Sequence, residues 1–159
     1  MKPTVQVTGR SGVKPTYQVQ LKILKPVAEV FDAVVQPEKL SSYFVQSASA
    51  PLAQGATVKW GFAEIPGELF DVEVREVVAN EHIALEWPAA PGGSPIRVDM
   101  AFKPLDDGST MVQISESGWP ADTKGLERSH ENAGGWMHMM TCLKAYLEYG
   151  INLRSGGAF

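Results

Sequence analysis

Residues 17–44, YQVQLKILKPVAEVFDAVVQPEKLSSYF, decide the fold. Tyr17, Val19, Leu21 and Ile23 alternate with Gln18, Gln20, Lys22 and Leu24, the period of a strand with one wet face. Lys25-Pro26 changes the period. Pro26 suits the first turn of a helix, and Val27, Val30, Phe31 and Val34 stand at i, i+3, i+4 and i+7 on one face. Gln36-Pro37 stops that helix, because a residue before proline is pushed out of the helical region. Pro37-Glu38-Lys39-Leu40 then restarts a second short helix that ends near Tyr43-Phe44. The opening is therefore one strand and two small helices.

Upstream, residues 1–16 hold two prolines, two glycines and little periodicity, which predicts a polar lead-in with a short edge strand at Val5 to Thr8. Downstream of a Ser/Ala/Pro/Gly-rich turn to Gly55, strand patterns run over Thr57 to Phe62, Leu69 to Val78, Ile83 to Trp87, Ile96 to Phe102 and Thr110 to Ser117. Their short links, Pro66-Gly67, Ala79-Asn80-Glu81 and Asp106-Asp107-Gly108, favour an antiparallel meander over parallel crossovers. From about Thr123 the period is helical, with Trp136, Met140, Leu143 and Leu147 on a stripe continuing towards Ile151. A sheet with one apolar face needs a cover, and this helix is the element long enough to supply it. The expected architecture is α+β: a curved antiparallel sheet wrapped around a long C-terminal helix, a helix grip. One domain spans residues 17–154, with a flexible tail at 155–159.

A chain of 159 residues with 44% hydrophobic and 20% charged residues has room for one domain with a real core, and fits neither a disordered nor a membrane protein. The net charge of -4 and the lack of a basic run exclude a phosphate-backbone footprint, so nucleic acid is not an expected partner. One cysteine, Cys142, excludes an internal disulfide and a cysteine-based zinc cluster. The polar start and the lack of an 18-residue apolar stretch make a soluble, cytoplasmic location the expectation, with no membrane partner.

Pro26-Val27-Ala28-Glu29-Val30-Phe31-Asp32-Ala33, followed by Pro37-Glu38-Lys39-Leu40 and Tyr43-Phe44, resembles the opening signature of the SRPBCC (START-like) superfamily, and within it the branch similar to activators of heat-shock-protein-90 ATPase. Further matches are Gly55, Val58 and Trp60; Val74, Val77, Glu81-His82-Ile83 and Trp87; Gly108-Ser109-Thr110; Glu116-Ser117-Gly118; Gly135-Trp136, Leu143-Lys144 and Leu147-Glu148. The resemblance covers residues 17–150, and the order and spacing of its motifs carry it. Two departures are a tyrosine, Tyr43, where the family usually has tryptophan, and residues 1–16, which have no counterpart. The resemblance implies the START-like fold, also that of the birch-pollen allergen, in which sheet and helix can enclose an elongated apolar cavity. It carries over no catalytic residue.

Alternation places Trp60, Phe62, Phe70, Val72, Val74, Leu85, Trp87, Val98, Met100, Phe102, Val112 and Ile114 on the concave face, with Trp136, Met137 and Met140 above them. Such aromatic and methionine-rich walls suit an adaptable pocket and equally a filled core. Glu64, Glu68 and Glu116 share the parity. Rim solvation is the simpler reading for the first two. Glu116 precedes Ser117-Gly118-Trp119-Pro120, a turn that could aim Trp119 across the opening as a lid.

His130 and His138 are about 12 Å apart along a helix, too far for one ion, and Gly134 stands where a zinc-protease helix would need its second histidine. His130 could still reach the cavity mouth. Gly134-Gly135 is read as close helix-to-sheet packing or a kink, and Cys142 as lacking a basic neighbour to activate it. No metal or cofactor is expected.

The leading expectation is a binding protein for a small apolar or amphipathic molecule held between sheet and helix. The lining set is Trp60, Phe62, Phe70, Val72, Leu85, Trp87, Met100, Phe102, Ile114, Glu116, Trp119, His130, Trp136, Met137 and Met140. The superfamily resemblance supplies one alternative, a cyclase or aromatase of polyketide type with Glu116, His130 and Tyr17 as acid or base. The name of the branch supplies another, a co-chaperone-like interaction module. Homodimerisation through the lead-in or an edge strand is left open.

Overall fold

The computed structural model describes residues 13–88 and 93–158. Its elements are β1 (Tyr17–Ile23), α1 (Val27–Val35), α2 (Pro37–Leu40), β2 (Ser47–Ala48), β3 (Thr57–Gly61), β4 (Leu69–Val78), β5 (His82–Pro88), β6 (Pro95–Pro104), β7 (Thr110–Ser117) and α3 (Thr123–Tyr149). Among the described residues, seven strands form one antiparallel sheet in the order β1-β7-β6-β5-β4-β3-β2. β2 to β7 are a meander, and β1 closes the far edge by pairing with β7, Tyr17 opposite Glu116 and Ile23 opposite Thr110.

The opening stretch folds for the reasons its sequence supplies. Pro26 sits one residue before the first turn of α1, and its carbonyl accepts from the Glu29 and Val30 amides at 3.0 and 3.1 Å. The buried face of α1 is Val30, Phe31, Ala33 and Val34. Gln36 is extended ahead of Pro37, and α2 follows at once. Tyr43 is buried, donates its hydroxyl to the Ala33 carbonyl at 3.0 Å and stacks on Tyr146 with ring centroids 5.4 Å apart. The phenol thus supplies both a buried ring and a satisfied polar tip.

β2, β3 and the end of α3 differ from the sequence expectation. The segment read as turn up to Gly55 contains β2, whose two residues pair with Gly61 and Trp60 of β3. Two residues are too few to show a period. The close approach is visible at Gly61, where a Cβ would stand 2.7 Å from Ser47 Oγ, and β3 ends there, one residue short of Phe62. Ile151 lies beyond α3, because Gly150 adopts the left-handed conformation (φ 67°) and caps the helix. The strand expected at Val5 to Thr8 lies outside the described residues.

α3 begins where the Asp122 carboxylate accepts from the Gly125 amide at 2.7 Å. It lies against β1 and β7 and buries Trp136, Met139, Met140, Cys142 and Leu143 over the concave face. It runs unbroken through Gly134 and Gly135, and a Cβ on either would meet nothing within 4 Å, so neither glycine serves close packing. Together with α1, these residues cover Val58, Trp60, Val72, Val74, Leu85, Val98, Met100, Phe102, Val112 and Ile114, the filled part of the core.

Candidate functional site

The grip closes at one end and stays open at the other. A cavity of about 360 Å³ is bounded by Phe44, Phe62, Glu64, Ile65, Phe70, Trp87, Pro88, Asn132, Gly135, Trp136, His138 and Arg154. Phe44 comes from the chain after α2, Phe70 from the start of β4, Trp87 from the end of β5, and Trp136 from the middle of α3. Five of the side chains make a continuous arc of rings. Phe70 meets Phe62 at 5.8 Å, Phe62 meets Phe44 at 5.4 Å, Phe44 meets Trp136 at 5.9 Å, and Trp136 meets Trp87 at 5.5 Å between centroids. The Phe70–Phe62 and Phe62–Phe44 contacts are edge-to-face, and the two made by Trp136 are tilted. Gly135 belongs to this wall, and its missing side chain leaves space in front of it.

The expected lining residues divide by depth. Phe62, Phe70, Trp87 and Trp136 border the cavity. Trp60, Val72, Leu85, Met100, Phe102, Ile114 and Met140 are at most 2% exposed and fill the core behind it. Met137 is half-buried against that core. Trp119 is buried and borders an adjoining cleft that shares Ile65, Phe70, Pro88 and Asn132 with the cavity, so it lies beside the opening and does not span it. Glu68 borders the same cleft. Its walls also carry Asp71, Arg128 and Glu131, a mixed and charged lining that suits an apolar guest less than the aromatic arc does. His130 is exposed and borders neither.

Glu116 is 1% exposed, and what surrounds it is donors. Tyr17 Oη donates to it at 2.6 Å, Trp136 Nε1 at 2.6 Å, and Asn132 Nδ2 reaches both carboxylate oxygens at 3.2 Å. One side chain of β7 therefore ties β1 to two consecutive turns of α3. Burial first, then the hydrogen bond to Glu116 and its charge, push the Tyr17 phenol well above its ordinary value. Glu116 sits behind the wall: Trp136 and Asn132, which it holds, face the cavity. Of the three residues named for acid-base work, none borders the cavity. Among the described residues, the ionisable side chains that do are Glu64, His138 and Arg154.

His138 also corrects the reading of Cys142. It stands one helical turn before it, with Nε2 at 3.4 Å from the sulfur, so a basic neighbour is present. Burial still pushes the Cys142 thiol up against the opposing charge of Arg154, and the thiol stays protonated near neutral pH.

The mouth is crossed by a contact that spans most of the chain. Beyond Gly150 the backbone turns through residues 153–156, and Arg154 Nη2 donates to Glu64 Oε1 at 2.6 Å while its guanidinium lies 5.8 Å from the Phe44 ring. Burial raises the Glu64 carboxyl, but the amides of Glu64 and Ala158 together with the Arg154 guanidinium outweigh it and hold the group below its ordinary value. The signals available in sequence had placed Glu64 at a rim. Phe44 and Arg154 are brought in by the chain after α2 and by the turn beyond α3, and Asn132 and His138 by α3 itself, outside the apolar stripe that the sequence marks.

Among the described residues no group of three or more His, Cys, Asp or Glu is placed to hold a metal ion, and no helix is long and apolar enough to cross a membrane. A family model described as Activator of Hsp90 ATPase homolog 1-like protein matches residues 25–148. No curated protein sequence matches the chain. Among solved structures, protein SSP2350 from Staphylococcus saprophyticus is 26% identical with a TM-score of 0.74, over 88% of this chain and 96% of that one. DynU16, a protein of the dynemicin biosynthetic locus, is 24% identical with a TM-score of 0.73 over 85% of this chain, which spans 48% of DynU16. The Aha1 dimer from Colwellia psychrerythraea is 16% identical with a TM-score of 0.70, over 86% of this chain and 98% of that one.

Proposed function

The chain belongs to the Activator of Hsp90 ATPase homolog 1-like family, and from that premise we propose that it binds a flat, predominantly apolar small molecule in the aromatic cavity between the sheet and α3. The observation that carries this reading is the arc of Phe70, Phe62, Phe44, Trp136 and Trp87, which bounds about 360 Å³ while the concave face behind it is filled. A volume in the usual range of ligand sites, apolar walls and a few polar groups at one end are the chemistry of recognition by burial and ring contact. At about 25 cal/mol per Å², covering roughly 200 to 300 Å² of ligand contributes about 5 to 7 kcal/mol before association costs, which gives modest affinity unless a polar contact adds to it.

The test is a titration of the full chain with the neutral probe N-phenyl-1-naphthylamine, following probe emission and quenching of tryptophan. Saturable binding with one probe per chain, weakened by Trp87→Ala, is the expected result. Emission that rises linearly without saturation would remove the reading.

A further inference from the structure

The cavity reading leaves open why its apolar arc ends on a guanidinium. Arg154 is built into a turn and is not a loose surface side chain. Gly150 N donates to the Tyr146 carbonyl at 3.0 Å, Arg154 N to Asn152 Oδ1 at 2.9 Å and Gly157 N to the Arg154 carbonyl at 3.0 Å. Its side chain is 14% exposed, and among the described residues Glu64 accepts from one of its five N–H donors. A planar guanidinium thus meets one carboxylate at the end of an aromatic wall.

The carboxylate, 23% exposed, also comes from a surface turn. Glu64 lies on the turn between β3 and β4, where residues 63–69 are all exposed, and the turn is held by the Ile65 amide on the Phe62 carbonyl at 3.2 Å and the Glu68 amide on the Ile65 carbonyl at 3.3 Å. A glutamate leaving Arg154 from such a turn passes into water, where its charge is solvated at no burial cost.

We propose that the Arg154 guanidinium forms an anion seat, and that the acidic group of an aromatic carboxylate or sulfonate takes this seat in exchange for Glu64. The exchange keeps one anion on the guanidinium, while the ligand's rings fill the arc and shield the new pair from water. Arg154 is then the residue that selects aromatic acids over neutral molecules of the same shape. This rests on the cavity reading.

The test compares two probes with the same ring system, neutral N-phenyl-1-naphthylamine and its sulfonate 8-anilino-1-naphthalenesulfonate, on the full chain at low salt and at about 0.5 M salt, where distant charges are screened. Glu64→Gln, which frees the seat, is expected to tighten the sulfonate about tenfold and Arg154→Gln to weaken it about tenfold, the neutral probe staying within about twofold in both. In the double variant the gain from Glu64→Gln disappears, because the gain exists only through Arg154. Arg154→Lys, which keeps the charge without the planar fork, falls between. A Glu64→Gln gain that survives in the double variant, or probes that respond alike to every substitution, would overturn the seat and leave the cavity standing. Absence of saturable binding by either probe to the unaltered chain would overturn both.

Discussion

Replacing Glu116 with alanine removes the acceptor shared by Tyr17 Oη, Trp136 Nε1 and Asn132 Nδ2. Trp136 is 3% exposed, so its indole N–H has no route to water and bears the full cost of an unmade bond, about 1 to 3 kcal/mol. Tyr17 and Asn132 are half-buried and recover part of theirs from solvent, so each loses about 1 kcal/mol. The space left at a site in the 1% exposure range adds a cavity cost, while release of a buried carboxylate from its desolvation penalty works the other way. The net loss is about 3 kcal/mol, which for a chain of this length lowers Tm by roughly 6 to 12 °C. Glu116→Gln, which keeps an acceptor for Trp136, costs about 1 kcal/mol. Urea unfolding followed by tryptophan emission, with a thermal melt beside it, gives both numbers. A loss below about 1 kcal/mol for Glu116→Ala would refute the view that this side chain clamps β1, β7 and α3 together.

The same cluster predicts a pH dependence. The folded Tyr17 phenol keeps its proton where the unfolded one loses it, so stability is present below about pH 10 and falls above it by up to about 1.4 kcal/mol per pH unit, and Tyr17→Phe makes the alkaline limb of an unfolding-against-pH curve shallower by one proton. Glu64, held below the ordinary carboxylate value, works in the opposite sense. Its contact with the C-terminal turn is complete above about pH 4 and lost as pH falls through the lowered value, so protection of the Arg154 and Gly157 amides, taken against their intrinsic exchange rate at each pH, falls in acid, and much less so in Glu64→Gln. Gly135→Phe fills the space before that residue and abolishes probe binding with the fold intact by circular dichroism. Gly134→Ala, exposed and outside the cavity wall, raises stability by up to about 1 kcal/mol without changing binding.

The alternation in Tyr17–Ile23, the two prolines at 26 and 37, and the change of period at Thr123 were enough to read the helix grip, and β4, β7 and the start of α3 fall at the residues the pattern marks. Parity says which side chains point inward but not how deep they lie. Trp60 and Phe70 pair across β3 and β4, yet Trp60 is buried in the core and Phe70 borders the cavity. That difference is set by where α3 and the Phe44 segment stop covering the sheet, a tertiary property with no local signature. Glu116 was singled out by its parity and its position before the turn at Gly118. Its hydrogen bonds were not legible, because Tyr17 reaches it across the β1/β7 register and Asn132 and Trp136 from the facing helix. The His138–Cys142 contact, by contrast, was open to inspection as an i,i+4 pair on a helix face. Arg154 reaches Glu64 through a turn that begins only after the left-handed cap at Gly150, and no periodicity extends that far.

The central claim is that the aromatic arc holds a ligand. A crystal structure of the chain with bound N-phenyl-1-naphthylamine tests it most directly. The account predicts the naphthyl ring between Phe62, Phe70, Trp87 and Trp136, with the Glu116 contacts to Trp136 and Asn132 unchanged. Probe density confined to the cleft at Trp119, or side chains from the arc collapsed into the cavity beside an unoccupied probe, would contradict it.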